Sequence, residues 1–208
     1  MTAHGHVASS LTRPTRRAEI VDMVQQLLKG PFTLEAYQRL AELGVLGEDD
    51  RLELIGGQVV EMSPIGGPHA GCVRRLMDLF VRKRLDLAMV DVQNPVVLSE
   101  HDAPQPDLAL LTRRADGYRD HPRAADTLLV VEVADTSLAY DRDIKIPLYA
   151  RAGIPEVWLV DLPADRLAIY RDPVDGAYAS VRLVSRGATL SPLLFPQVTL
   201  PADDILGR

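Results

Sequence analysis

The segment TLLVVEVADTS, residues 127 to 137, carries a carboxylate, Glu132, inside an apolar, β-branched run of strand length. Taking an unpaired carboxylate out of water costs several kcal/mol or forces its protonation. A fold that buries this strand must therefore bring it charged partners. Two are close in sequence: Asp107 opens the apolar run QPDLALLT, and Lys145 sits in YDRDIKIPLYARAG, one helical stretch after Glu132. Two carboxylates converging from neighbouring strands suit Mg²⁺ or Mn²⁺, hard cations that prefer oxygen ligands. An ammonium beside them can stabilise charge that develops on phosphorus, so the expected chemistry is metal-dependent phosphodiester hydrolysis.

The chain has 208 residues, 47% hydrophobic and 25% charged, which suits one well-buried domain. Runs such as TLLVVEV and VWLVDL are far below the ~20 residues needed to span a bilayer. Residues 1–15 lack the apolar stretch of a secretory signal and read as a disordered leader, so cytoplasmic residence and no membrane partner are expected. Cys72 is the only cysteine, which excludes an internal disulfide and a thiolate zinc cluster. The net charge of −6 counts mildly against a dedicated nucleic-acid binder, although basic groups cluster locally: Arg13, Arg16 and Arg17, then Arg74 and Arg75 with Arg82, Lys83 and Arg84, and Arg113 with Arg114.

Periodicity predicts a helical preface over residues 16–45: one helix over 16–29, stopped by Gly30-Pro31, and a second from the N-cap Thr33 to about Gly44. A hairpin around Gly56-Gly57 carries Glu53 and Glu61. An amphipathic helix from Pro68 to about Leu87 follows, with Val73, Leu76, Met77, Phe80 and Val81 on its apolar side. Strands are expected at 88–92, 95–99, 107–112, 127–134 and 156–162, and a terminal hairpin at RLAIYRD and YASVRLVS. Pro147 interrupts the helix between the strands at 127–134 and 156–162, which predicts a kink or a late start. The order predicts an α/β fold, a central mixed β-sheet flanked by α-helices.

The run LELIGGQVVEMSP with His69, then PDLALL, then LLVVEVADTSLAYDRDIKIPLYARAGIPEVWLVD is similar to the Uma-two family of restriction endonucleases, in the PD-(D/E)xK nuclease superfamily. The resemblance covers about residues 33 to 205 and implies a restriction-endonuclease-like core over a single domain, 16–208, with divalent metal and DNA as substrate. Residue by residue, it implies Asp107 and Glu132 as catalytic metal ligands, Glu53 as a third ligand, and Lys145 as the catalytic lysine. The lysine that commonly follows two residues after the second carboxylate is replaced by Ala134, and Lys145 comes from the next helix instead. His69, Tyr149 and Asp141 are accessory candidates, and Arg74, Arg75, Arg82 and Lys83 a DNA-facing surface. Cutting both strands requires two sites, hence a homodimer. The rival readings are a catalytically silent nuclease-fold binding module, and a nuclease for RNA or nucleotide-like phosphodiesters.

Overall fold

The structure is a computed structural model that describes residues 30–47, 50–83 and 88–207. The leader, the first preface helix over 16–29, and Arg13, Arg16, Arg17 and Arg84 lie outside the described residues. The second preface helix, α1 (Leu34–Glu42), forms as its cap predicts: Thr33 Oγ1 accepts the Ala36 N–H at 3.2 Å.

β1 (Leu52–Ile55) and β2 (Gln58–Glu61) pair antiparallel around Gly56 and Gly57, whose φ of +57° and +70° give the left-handed turn such hairpins require. The hairpin forms a sheet of its own. The loop before β4 binds its free edge: the Ala103 N–H donates to Leu54 O at 2.8 Å and the Gly57 N–H to His101 O at 2.8 Å. A Cβ added to Gly57 would stand 2.2 Å from Pro31 Cβ. Gly57→Ala is therefore expected to lower stability by about 2–4 kcal/mol, the sum of left-handed strain and overpacking. Urea unfolding of the two proteins measures it; equal midpoints would show that the hairpin does not hold this turn.

The main sheet has six strands in the order β3 (Ala88–Asp91), β4 (Leu108–Thr112), β5 (Thr127–Ala134), β6 (Glu156–Asp161), β7 (Arg166–Val174), β8 (Ala177–Ser185). Only the β5–β6 pair is parallel. A parallel pair needs a crossover, and the helical segment between these strands supplies it. The strand expected over 95–99 does not form. Pro95 offers no N–H, the Val96 and Leu98 N–H groups go to Pro104 O and Asp102 O, and Val97 makes one isolated bridge to Arg123.

One face of the sheet packs against α2 (Gly67–Arg82), with Leu76, Phe80, Leu110, Val131 and Trp158 in one cluster. The apolar stripe of α2 is narrower than its spacing predicts, since Met77 and Val81 are exposed. A C-terminal piece that periodicity did not announce closes this side: β9 (Thr189–Leu190), β10 (Leu200–Pro201) and α5 (Ala202–Leu206), numbered after the crossover helices. Arg75 donates to Ile205 O and Leu206 O at 3.0 Å each, and Cys72 Sγ lies 3.4 Å from Ile205 O. Burial pushes the Cys72 thiol up to about 11, which keeps it inert.

The crossover is α3 (Leu138–Tyr140), a π turn over Asp141–Lys145, and α4 (Ile146–Arg151). Pro147 falls in the first turn of α4, which begins only at Ile146 after the π turn, so the regular helix starts late as expected. The proline's missing N–H and its ring, which would crowd the carbonyl of residue 143 in a regular helix, are taken up by the wider π turn just before it.

Glu156, fully buried at the start of β6, is saturated: Oε1 accepts from Trp158 Nε1 at 2.8 Å and from Arg171 at 2.6 and 2.8 Å, and Oε2 from the Leu193 N–H at 2.6 Å. Glu156→Ala would strand all of these donors and is expected to cost about 3 kcal/mol. A melting curve unchanged in that variant would contradict the assignment.

Candidate active site

Leu108 pairs with Val131, so Asp107, one residue earlier, stands level with Glu132 on the neighbouring strand. Asp107 Oδ2 accepts the Val133 N–H at 2.8 Å, and Oδ1 lies 3.0 Å from His69 Nε2 and 3.4 Å from Gln93 Nε2. Alternation along β5 puts Val131 and Val133 in the α2-side core. Glu132 shares the opposite face with Val130 and Ala134, where the crossover helix packs. From that helix Tyr149 donates its hydroxyl to Glu132 Oε1 at 2.5 Å, and Lys145 Nζ lies 3.3 Å from the same oxygen.

Glu53 arrives by another route. Its hairpin stays out of the main sheet, yet the loop that binds the hairpin runs directly into β4. Gln105 donates its N–H to Glu53 Oε2 at 3.2 Å and its Nε2 to Leu52 O at 2.8 Å, two residues before Asp107. Lys145 Nζ is 3.1 Å from Glu53 Oε2, and Tyr140 donates to Glu53 Oε1 at 3.1 Å. Lys145 thus bridges two carboxylates from unconnected sheets, with Glu53 and Glu132 each 2% exposed and Lys145 3%. Asp141, one turn before Lys145, accepts from the Ser137 hydroxyl at 2.6 Å.

Burial drives the Glu132 carboxyl well above its usual range, Asp141 and Asp107 add to this, and Lys145 opposes it. Burial by itself would lower Lys145, but Glu132, Glu53 and Asp141 outweigh it and raise it, so the ammonium stays charged. Asp141 is raised, chiefly by burial. Burial and the neighbouring glutamates raise Tyr140 and Tyr149, which remain neutral donors.

These groups lie at a cavity of about 410 Å³, whose lining includes the carboxylates Glu53, Glu61, Asp107, Glu132, Asp135 and Asp141, against the cations Arg51 and Lys145 and the imidazole of His69. His69 Nδ1 is buried without a hydrogen-bond partner. An all-oxygen carboxylate set with excess negative charge fits a hard divalent cation. Among the described residues, however, no group of three or more His, Cys, Asp or Glu converges as a preformed cage. The ammonium of Lys145 stands between two of the carboxylates instead.

Of the residues expected from sequence, Glu53, Asp107, Glu132, Lys145, His69 and Asp141 line one cavity, and Tyr149 bonds to Glu132 behind it. The basic residues of α2 do not join them. Arg75 is held by α5, Arg82 pairs with Asp78 at 2.8 Å, and Arg82 and Lys83 lie roughly 20 Å beyond His69 along the helix axis. Arg74 is exposed. Tyr140 and Gln105 were missed. Tyr140 precedes Lys145 by five residues, a spacing that shares a face only in a π turn, and Gln105 acts partly through its backbone.

No described helix is long and apolar enough to cross a membrane. Among solved structures the chain is similar to a "putative nuclease belonging to DUF820 from Anabaena variabilis ATCC 29413", with 17% identity over 85% of this chain and 98% of that one and a TM-score of 0.68. That likeness is one of fold, a mixed sheet with helices. No curated protein matches. The Uma2 family model, described as "Putative restriction endonuclease", matches residues 34–203. That span runs from α1 into α5 and includes Glu53, Asp107, Glu132 and Lys145, and the chain belongs to the Uma2 family.

Proposed function

We propose that the protein hydrolyses phosphodiester bonds in DNA with Mg²⁺ or Mn²⁺, using Asp107, Glu132 and Lys145. The observation that carries this reading is the buried Lys145 ammonium held between Glu53 and Glu132 at the floor of the cavity that Asp107 also lines. A bound divalent cation would supply Lewis acidity toward the phosphate and a more acidic water. Asp107 and Glu132 would hold it, with Glu53 as a third carboxylate. Tyr149 and Lys145 both contact Glu132 Oε1, which leaves Oε2 for a cation.

Hydrolysis forms a bond from a water oxygen to phosphorus, that water giving up a proton to solvent, and breaks the P–O bond to the leaving sugar oxygen, which takes up a proton from solvent. Negative charge grows on the non-bridging oxygens as this happens. Lys145, which stays charged, would meet it. Tyr140 holds Glu53, and Tyr149 holds Glu132, so both carboxylates keep their orientation beside the ammonium. Two-strand cutting would need a homodimer.

The supporting experiment is Mn²⁺ titration by calorimetry: Asp107→Ala is expected to lose binding, and unchanged affinity would count against the ligand assignment. The internally bonded oxygens of Asp107, and the lack of a preformed carboxylate cage among the described residues, favour a second reading, a catalytically silent nuclease-fold binding module. DNA retention without cleavage in any metal would select it.

A further inference from the structure

We infer that the DNA strand entering this cavity is unpaired, and that Ile65 on its rim contacts a nucleobase. This rests on the nuclease reading and names its substrate class. Depth is the first observation: Glu53, Glu132, Lys145 and Asp107 are only 2%, 2%, 3% and 7% exposed. A phosphate must pass between two lips to reach them. One is the hairpin exit, Met62 to Gly66; the other is the β5 exit, from Asp135 to Tyr140. The lips approach closely, since a Cβ built on Gly66 would stand 3.3 Å from Asp135 Oδ2. A duplex is stiff over more than a hundred base pairs and carries its phosphates on a wide cylinder. A single strand can bend a phosphate inward.

Size agrees: about 410 Å³ lies in the small-ligand range and suits a nucleotide-sized fragment.

The rim is the last observation. Met62, Pro64 and Ile65 make one lip apolar, and Ile65 is 41% exposed with a large aliphatic side chain at the entrance. Side chains of this kind separate base steps in other nucleic-acid complexes, and unstacked bases bind on apolar or aromatic faces. Tyr140 lines the other side of the same opening.

The test uses three end-labelled DNAs of one sequence in Mn²⁺: a single strand, its perfect duplex, and that duplex with a central unpaired bubble. Cleavage of the single strand and within the bubble is expected, with the duplex slower by about tenfold or more, the equivalent of one lost base contact. Ile65→Ala is expected to slow single-strand cleavage by about tenfold on the same basis, with Mn²⁺ affinity unchanged by calorimetry. A duplex cut as fast as the single strand would overturn the inference and leave the nuclease reading intact. Unaltered single-strand cleavage by the Ile65 variant would overturn the role of the rim. If wild type cuts none of the three, the nuclease reading falls and this inference with it.

Discussion

Lys145→Met is expected to lower DNA cleavage by about 100- to 1,000-fold, the usual cost of removing one preorganised donor from a developing anion. Methionine keeps most of the aliphatic stem, so the volume filled at this buried position changes little and the missing ammonium dominates. The substitution also leaves Glu53 and Glu132 buried without their shared counter-ion, at a cost of about 3 kcal/mol near neutrality. That loss depends on pH with a definite sign. Glu132 already has a folded-state pKa above its ordinary value of 4.5, and losing Lys145 removes the main group holding it down. A carboxyl raised in the folded state contributes stability that is full below its unfolded pKa and is lost as pH rises through the folded one. Urea midpoints of the variant in EDTA should therefore be highest near pH 4.5 and fall steadily toward neutrality. A flat profile would show that the carboxylates are relieved in some other way.

Glu132→Gln should separate stability from activity. Glutamine keeps the shape and can still accept from Tyr149, but it removes a charge whose burial is opposed by desolvation and by Asp107 and Asp141. Lys145 retains Glu53 at 3.1 Å. Metal-free stability at neutral pH is expected to rise by on the order of 1 kcal/mol. Cleavage should nevertheless fall by about 100-fold or more, because the group proposed to hold the cation is gone. A protein that gains stability and loses activity on one conservative change is what a functional carboxylate predicts. Loss of both would make Glu132 a structural ion-pair partner.

That Asp107, Glu132 and Lys145 would meet at one cavity was legible for a plain reason: charges inside apolar strands are costly, so Glu132 had to have partners, and few were close. The hairpin at Gly56-Gly57 and the cap at Thr33 were legible because each depends on chemistry within a few residues. What failed was long-range. Glu53 sits on a hairpin outside the main sheet and reaches the site through the loop that ends in Gln105, a route no local pattern shows. Strand-like residues over 95–99 gave their N–H groups to neighbouring loops. Arg75, read as a surface charge, turned inward because α5, invisible to periodicity, presents two free carbonyls to it. Tyr140 was hidden because regular helical spacing does not align it with Lys145; the π turn before Pro147 does.

The central claim is metal-dependent endonucleolytic cleavage from one site. It is tested most directly by incubating a covalently closed single-stranded DNA circle and a supercoiled plasmid with purified protein in Mg²⁺, Mn²⁺ or EDTA, beside Lys145→Met and Glu132→Gln. The account predicts linearised circle in metal, none in EDTA, and severe loss in both variants, since a closed circle can be opened only by an endonuclease. Intact circle and plasmid under every metal condition, or cutting that both variants retain, would contradict it.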